Sequence, residues 1–141
     1  MQKVHFYFID RNPVLKERTR LKFFIKKLFL TEKKNLGNLS YIFCSDEHLL
    51  TMNKDFLKHD FYTDVITFDL SSSKNEIEGE VYISVDRIKD NAKELGVSSK
   101  EELHRVIFHG ALHLCGYNDK KKDEALIMRS KENTYLKRYL I

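Results

Sequence analysis

His109 and His113 stand four residues apart in the run HGALHLCGYND, and Asp119 follows six residues after the second histidine, just past Gly116. On a helix, residues four apart share one face with Cβ atoms roughly 5 to 6 Å apart, so two imidazoles can grip one cation. Gly116 supplies a C′ stop, where the left-handed conformation ends a helix and turns the chain back, and Asp119 can then return beside the histidines. Two nitrogens and one carboxylate oxygen leave a fourth tetrahedral position for water, the ligand count of a catalytic zinc site. His109, His113 and Asp119 are therefore the expected ligands of one zinc per chain. No glutamate follows His109, so the H-E-x-x-H pattern of zinc peptidases is absent. A two-histidine, one-carboxylate set also serves non-haem iron, but the chain lacks the many-stranded pattern of jelly-roll oxygenases.

The helix that must carry these ligands is apolar nearly all round. At 100° per residue, Leu103, Val106, Ile107, Gly110, Ala111 and Leu114 fall on one side and Phe108 and Leu112 on the other, the pattern of a buried helix. Buried histidines need partners. Cys115 points away from the histidine stripe and reads as a small buried hydrophobe. Ser98 with Glu101, or Ser99 with Glu102, forms the capping box that opens this helix.

The remaining elements follow from the pattern. Val4 to Ile9, Leu39 to Cys44, Val65 to Leu70 and Glu80 to Ser84 have strand character. A helix from Pro13, capped by Asn12, buries Val14, Leu21, Phe24, Ile25 and Leu28. A second runs from Asp46 to Leu57 with Ser45 as cap, a third from Ser84 to Leu95 ending at Gly96, and the last from Lys122 to Tyr139. The order β-α-β-α-β-β-α-α-α predicts a single α+β domain over residues 1–141. Its four-stranded mixed sheet is mostly parallel, strands three and four form a hairpin across SSSKNEIEG, and it packs with about five helices, of which the buried histidine helix is the central one. In that last helix Glu132 falls amid Ala125, Met128, Tyr135, Leu136 and Tyr139. Its carboxylate calls for a ligand histidine, an arginine such as Arg87, or a rim position with its head in water.

A chain of 141 residues buries about 68 to 70% of its unfolded surface as one domain. Two cysteines, an N-terminus without a secretory pattern and no apolar run near the roughly 20 residues of a membrane span predict a soluble, cytoplasmic protein. The net charge of +4 is uneven: nine cations from Arg11 to Lys34 against Glu17 and Glu32 make that segment +7. Lys16, Arg20, Phe23 and Lys27 share one stripe of its helix, which suits phosphate neutralisation with base stacking and equally suits a solvated lysine face.

His109, Gly110, Leu112, His113, Leu114, Gly116 and Tyr117 match the H-G-x-L-H-L-x-G-Y signature of the YbeY family, which the chain resembles. Asn53, Asp60, Thr63, Asp64, Val65 and Phe68 fit the family's N-x-x-Y-R-x-x-D-x-P-T-D-V-L-S-F segment, and GEVYIS from Gly79, followed by Asp86, looks like its glycine-acidic strand. The resemblance implies an α+β fold and a zinc held by the signature ligands. It also implies a basic cleft for single-stranded RNA and an endoribonuclease activity in rRNA maturation and ribosome quality control. Two positions depart from the pattern. Asp119 stands where the family usually has a histidine, with Asn118 before it in place of aspartate; aspartate binds zinc at about 2.0 to 2.2 Å. Leu57 stands in place of an arginine thought to matter for activity, and leucine cannot hold a phosphate. Lys58 and His59 are the adjacent candidates to replace it.

The chemistry these residues imply is metal-assisted hydrolysis of an RNA phosphodiester, with Asp64 and Glu80 as candidate bases or supporting carboxylates. rRNA or other single-stranded RNA, the small ribosomal subunit and an assembly GTPase are the expected partners, with no membrane. The alternative is a non-catalytic rRNA-binding assembly factor with a structural metal, which the loss of the arginine favours.

Overall fold

A computed structural model describes residues 3–140. Strands β1 (Val4–Phe8), β2 (Leu36–Cys44), β3 (Val65–Asp69) and β4 (Ile77–Ser84) and helices α1 (Arg18–Thr31), α2 (Asp46–Leu57), α3 (Val85–Leu95), α4 (Ser99–Leu114) and α5 (Lys122–Leu140) follow in the order β1-α1-β2-α2-β3-β4-α3-α4-α5. The sheet order is β1-β2-β4-β3. β2 runs parallel to β1 and β4, and β3 closes the edge antiparallel to β4. The single α+β architecture, the mixed sheet and the hairpin are those expected. β2 and β4 start earlier than the residue pattern suggests because Leu36 pairs with Ile77 across the ladder, and a Ser73–Glu76 bridge tightens the hairpin loop.

The start of the first helix is a correction. It begins at Arg18, not Pro13, after Glu17 in the left-handed region (φ 53°) without a side-chain cap. Residues before it are tied to the ends of the parallel strands. Asp10 accepts hydrogen bonds from the Ser45 amide and hydroxyl at 2.8 and 2.6 Å, and Arg11 donates to Asp86 at 2.9 Å. Those ties hold Asp10 below the usual carboxylate range, the Ser45 hydroxyl contributing most. From that anchor Leu15 turns into the core and Val14 is left 78% exposed, opposite to its expected burial; a helix starting at Pro13 would break this arrangement. Phe29 joins Leu21, Ile25 and Leu28 in the buried face of α1.

α4 is the centre of the core. Phe108, Ile107, Ala111 and Leu112 are fully buried, so both sides of the helix are covered, as its apolar circumference requires. Phe108 packs against Phe24 and Tyr139 with ring centroids 5.2 and 5.7 Å away. On the sheet side, Tyr41 of β2 donates to the Ile107 carbonyl at 2.8 Å. Gly110 lies so close to β4 that a Cβ there would meet Val81 at 2.7 and 2.9 Å. The valine is β-branched and cannot swing aside. Gly110→Ala is therefore expected to destabilise the fold by about 1 to 3 kcal/mol, read in a urea titration, and Val81→Ala in the same chain should recover most of the loss. An unchanged midpoint in Gly110→Ala would mean α4 stands off the sheet.

A candidate metal centre in the cleft between α4 and α5

α4 ends as the sequence predicts. Gly116 takes φ 109°, its amide bonds to the His113 carbonyl and the Tyr117 amide reaches back to Leu112 at 3.1 Å, the two bonds of a Schellman stop. This turn has a direct consequence for His113: the Tyr117 carbonyl accepts from its Nδ1 at 3.1 Å. The Tyr117 ring is fixed from its other end, its hydroxyl donating to Glu32 at 2.7 Å. Glu32 also receives a hydrogen bond from Tyr135 and one from Lys131 at 3.4 Å. Burial pushes Glu32 up, but these donors outweigh it and hold its carboxyl below the ordinary value.

His109 is held from α5. Its Nδ1 donates to Glu132 Oε2 at 2.7 Å, and Arg105 Nη1 donates to Glu132 Oε1 at 3.1 Å. The Glu132 side chain is 5% exposed, so it is not a rim residue. Both buried roles considered for it are filled at once, and the arginine is Arg105; Arg87 instead pairs with Asp46 at 2.7 Å. Arg129 approaches the same carboxylate at 3.5 Å. Burial alone would push His109 toward its neutral form, yet the carboxylates of Glu132, Asp119 and Asp64 together raise its pKa.

With Nδ1 of each histidine engaged as a donor, the neutral form of each ring leaves Nε2 unprotonated, the form that a metal would require. His109 Nε2 lies 3.4 Å from Asp119 Oδ2, and His113 lines the same cleft. Among the described residues no three His, Cys, Asp or Glu groups are closed into a metal cage; the contact present is that of His109 with Asp119. The donor chemistry fits zinc: two imidazoles oriented through their other nitrogen and one exposed carboxylate.

The cleft has a volume of about 510 Å³ and lies between α4, α5 and the segment joining α2 to β3. Of the expected site residues, His109, His113, Asp119, Asp64 and His59 line it together. Asp64 is pushed above the usual carboxylate range chiefly by burial, against the pull of His109, and accepts from Asn91 at 3.3 Å. His59 stacks on Phe61 with centroids 5.1 Å apart. Lys58 caps α2 in the left-handed region and is not part of the cleft wall. Glu80 is also absent from it: Gly79 and Val81 face α4, so the alternation of the strand sends Glu80 to the opposite face of the sheet, where it accepts from Tyr82 at 3.1 Å.

The cationic stripe of α1 does not reach this cleft. Lys16 lines a different groove, Arg20 donates to the Tyr139 carbonyl with its guanidinium 4.1 Å from that ring's centroid, and Phe23 is exposed with Lys26 over it. The cations that line the cleft are Arg105, Lys120 and Arg129, beside Leu57. Glu102 lines it too, buried, with Oε1 lacking a hydrogen-bond partner and its pKa raised by burial and by Asp64. Glu102, Arg105, Val106, His109 and His113 recur at helical spacing, so the histidine stripe extended backwards finds Glu102 and Arg105. Arg129 gives no such signal.

Comparison with known proteins identifies the family of the chain. The sequence model of the family described as Endoribonuclease YbeY matches residues 12–140. An endoribonuclease YbeY of Cytophaga hutchinsonii is 47% identical over 135 residues, covering 96% of this chain and 94% of that protein. One from Flavobacterium johnsoniae is 49% identical over 109 residues, covering 77% and 78%. The solution structure of TM1509 from Thermotoga maritima superposes with a TM-score of 0.58 at 27% identity, over 94% of this chain and 86% of that one. Matched along nearly its whole length by the family and by relatives close to half identical, the chain belongs to the endoribonuclease YbeY family.

Proposed function

We propose that this protein is a zinc-dependent, single-strand-specific endoribonuclease that hydrolyses phosphodiesters in the maturation of small-subunit rRNA and in ribosome quality control. Its site of action would be the cytoplasm, with the small ribosomal subunit and an assembly GTPase as partners. The observation that carries the reading is the pair of histidines, each oriented through Nδ1, in one cleft with Asp119 and three cations. His109, His113 and Asp119 would hold one zinc, which when bound polarises a phosphoryl oxygen and acidifies a water.

The protein's own groups do the rest. Glu132, clamped by Arg105, keeps the His109 ring in one orientation. Asp64, with its affinity for a proton raised by burial, is the carboxylate in the cleft suited to accept one from water. The stacked His59 and Phe61 rings at the mouth offer a platform for an unpaired base, which favours single strands. Leu57 removes one cation from the phosphate path, and Arg129, 55% exposed and on the cleft wall, replaces its charge from another helix.

The last assignment is directly testable. Arg129→Ala should lower kcat/KM on a single-stranded rRNA fragment about tenfold, roughly 1.4 kcal/mol of transition-state stabilisation, while Lys58→Ala stays near wild type. The opposite ranking would return the phosphate contact to the α2 end. The non-catalytic assembly factor remains the second reading, favoured by Leu57 on the cleft wall; it requires that the wild type bind such RNA without cleaving it.

A further inference from the structure

On the other side of α4 lies a second concavity of about 290 Å³, walled by Pro13, Val14, Val85, Ile88, Leu103 and Tyr139. It exists because α1 starts late: the non-helical stretch before Arg18 forms one wall and leaves Val14 exposed at the lip. Tyr139, itself 2% exposed, closes the floor of this groove. Lys16, Lys89 and Lys100 also line the groove, and among the described residues none of the three has an ion pair. Glu17, the acidic residue of the lining, is engaged by Arg20 at 3.4 Å. The groove is therefore apolar within and cationic at its rim.

We propose that it docks an acidic segment of a partner protein, which seats one large apolar side chain among Val14, Ile88 and Leu103 and sets its carboxylates over Lys16, Lys89 and Lys100. The volume falls at the low end of small-molecule pockets and suits a single anchor residue of the kind that dominates interfaces, while the rim charges select the sign of the partner. RNA fits less well. His104 and Tyr139 stack on each other at 5.2 Å and both are buried, so neither presents a ring face to a base. Leu103 and Lys100 lie about 120° and 180° around the α4 axis from His109, so a docked partner leaves the cleft open to RNA.

The test is to pan a displayed library of random short peptides on the full chain, then synthesise the most enriched peptide with a fluorescent label. The expected winners carry Asp and Glu around one Leu, Ile, Phe or Trp. Binding should weaken about tenfold or more in Val14→Asp, a change at an exposed position, and in Lys89→Glu/Lys100→Glu. Both variants should melt like wild type and cleave RNA at the wild-type rate. Absence of acidic-apolar winners, equal binding to the variants, or displacement of the peptide by a single-stranded RNA oligonucleotide would each overturn the proposal.

Discussion

Glu132→Ala is expected to be the most damaging single substitution away from the proposed zinc ligands, because one buried carboxylate serves two neighbours. Its removal leaves the Arg105 guanidinium, 14% exposed, without its counter-charge and frees the His109 ring to rotate or change tautomer. Breaking a buried pair from one side costs about 3 to 5 kcal/mol, and the residual exposure of Arg105 places this case near about 3, a fall of roughly 10 °C in Tm. Loss of the group that orients a ligand histidine lowers metal affinity about 10- to 100-fold. Glu132→Gln separates the two effects. Its amide oxygen can accept from Arg105 or from His109 but not from both in the native geometry, so stability should be partly restored while zinc affinity stays low. Urea titration and zinc competition against a chelator read the two quantities independently. If Glu132→Gln binds zinc as tightly as wild type, the carboxylate does not orient His109.

The second large effect is expected at His113. His113→Ala would remove a proposed nitrogen ligand whose orientation is set by the turn carbonyl of Tyr117, and nothing else on that turn of α4 can replace it: Cys115 is buried and its thiol is pushed up to about 12, chiefly by burial. Zinc affinity should fall by more than the 10- to 100-fold expected for a lost supporting group, and cleavage of single-stranded RNA should drop to background. The fold should survive, because His113 contributes no buried ion pair to the core. A His113→Ala protein that cleaves RNA at more than about a tenth of the wild-type rate would remove the imidazole from the chemistry.

Much of this arrangement was legible before the structure. The histidine helix, its opening at Ser98 or Ser99 and its Gly116 stop follow from local rules, the structure selecting Ser98, whose hydroxyl accepts from the Glu101 amide, and a helix apolar on every side has to be central. The element order follows from period and turn chemistry alone. What local rules missed are features set by distant ties. Asn12-Pro13 is a good helix opening, yet Asp10 bound to Ser45 and Arg11 bound to Asp86 decide where the chain points, and the helix waits until Arg18. Glu132 was visible as a polar residue out of place, but its arginine could not be identified because Arg105 lies on another helix. Glu80 and the α1 stripe were plausible by type; strand alternation and helix placement put them elsewhere. Arg129 has no sequence signature, since only the packing of α5 against α4 brings it to the cleft.

The most direct test of the account is the metal content of the chain, purified without a metal-binding tag, for wild type and Asp119→Ala, with cleavage of single-stranded rRNA fragments followed in parallel. The account predicts close to one zinc per wild-type chain and RNA cleavage that depends on it, with both largely lost in Asp119→Ala. A wild-type chain that cleaves RNA fully after zinc is stripped, or an Asp119→Ala chain that keeps both its zinc and its activity, would contradict the assignment of His109, His113 and Asp119 as the catalytic metal site.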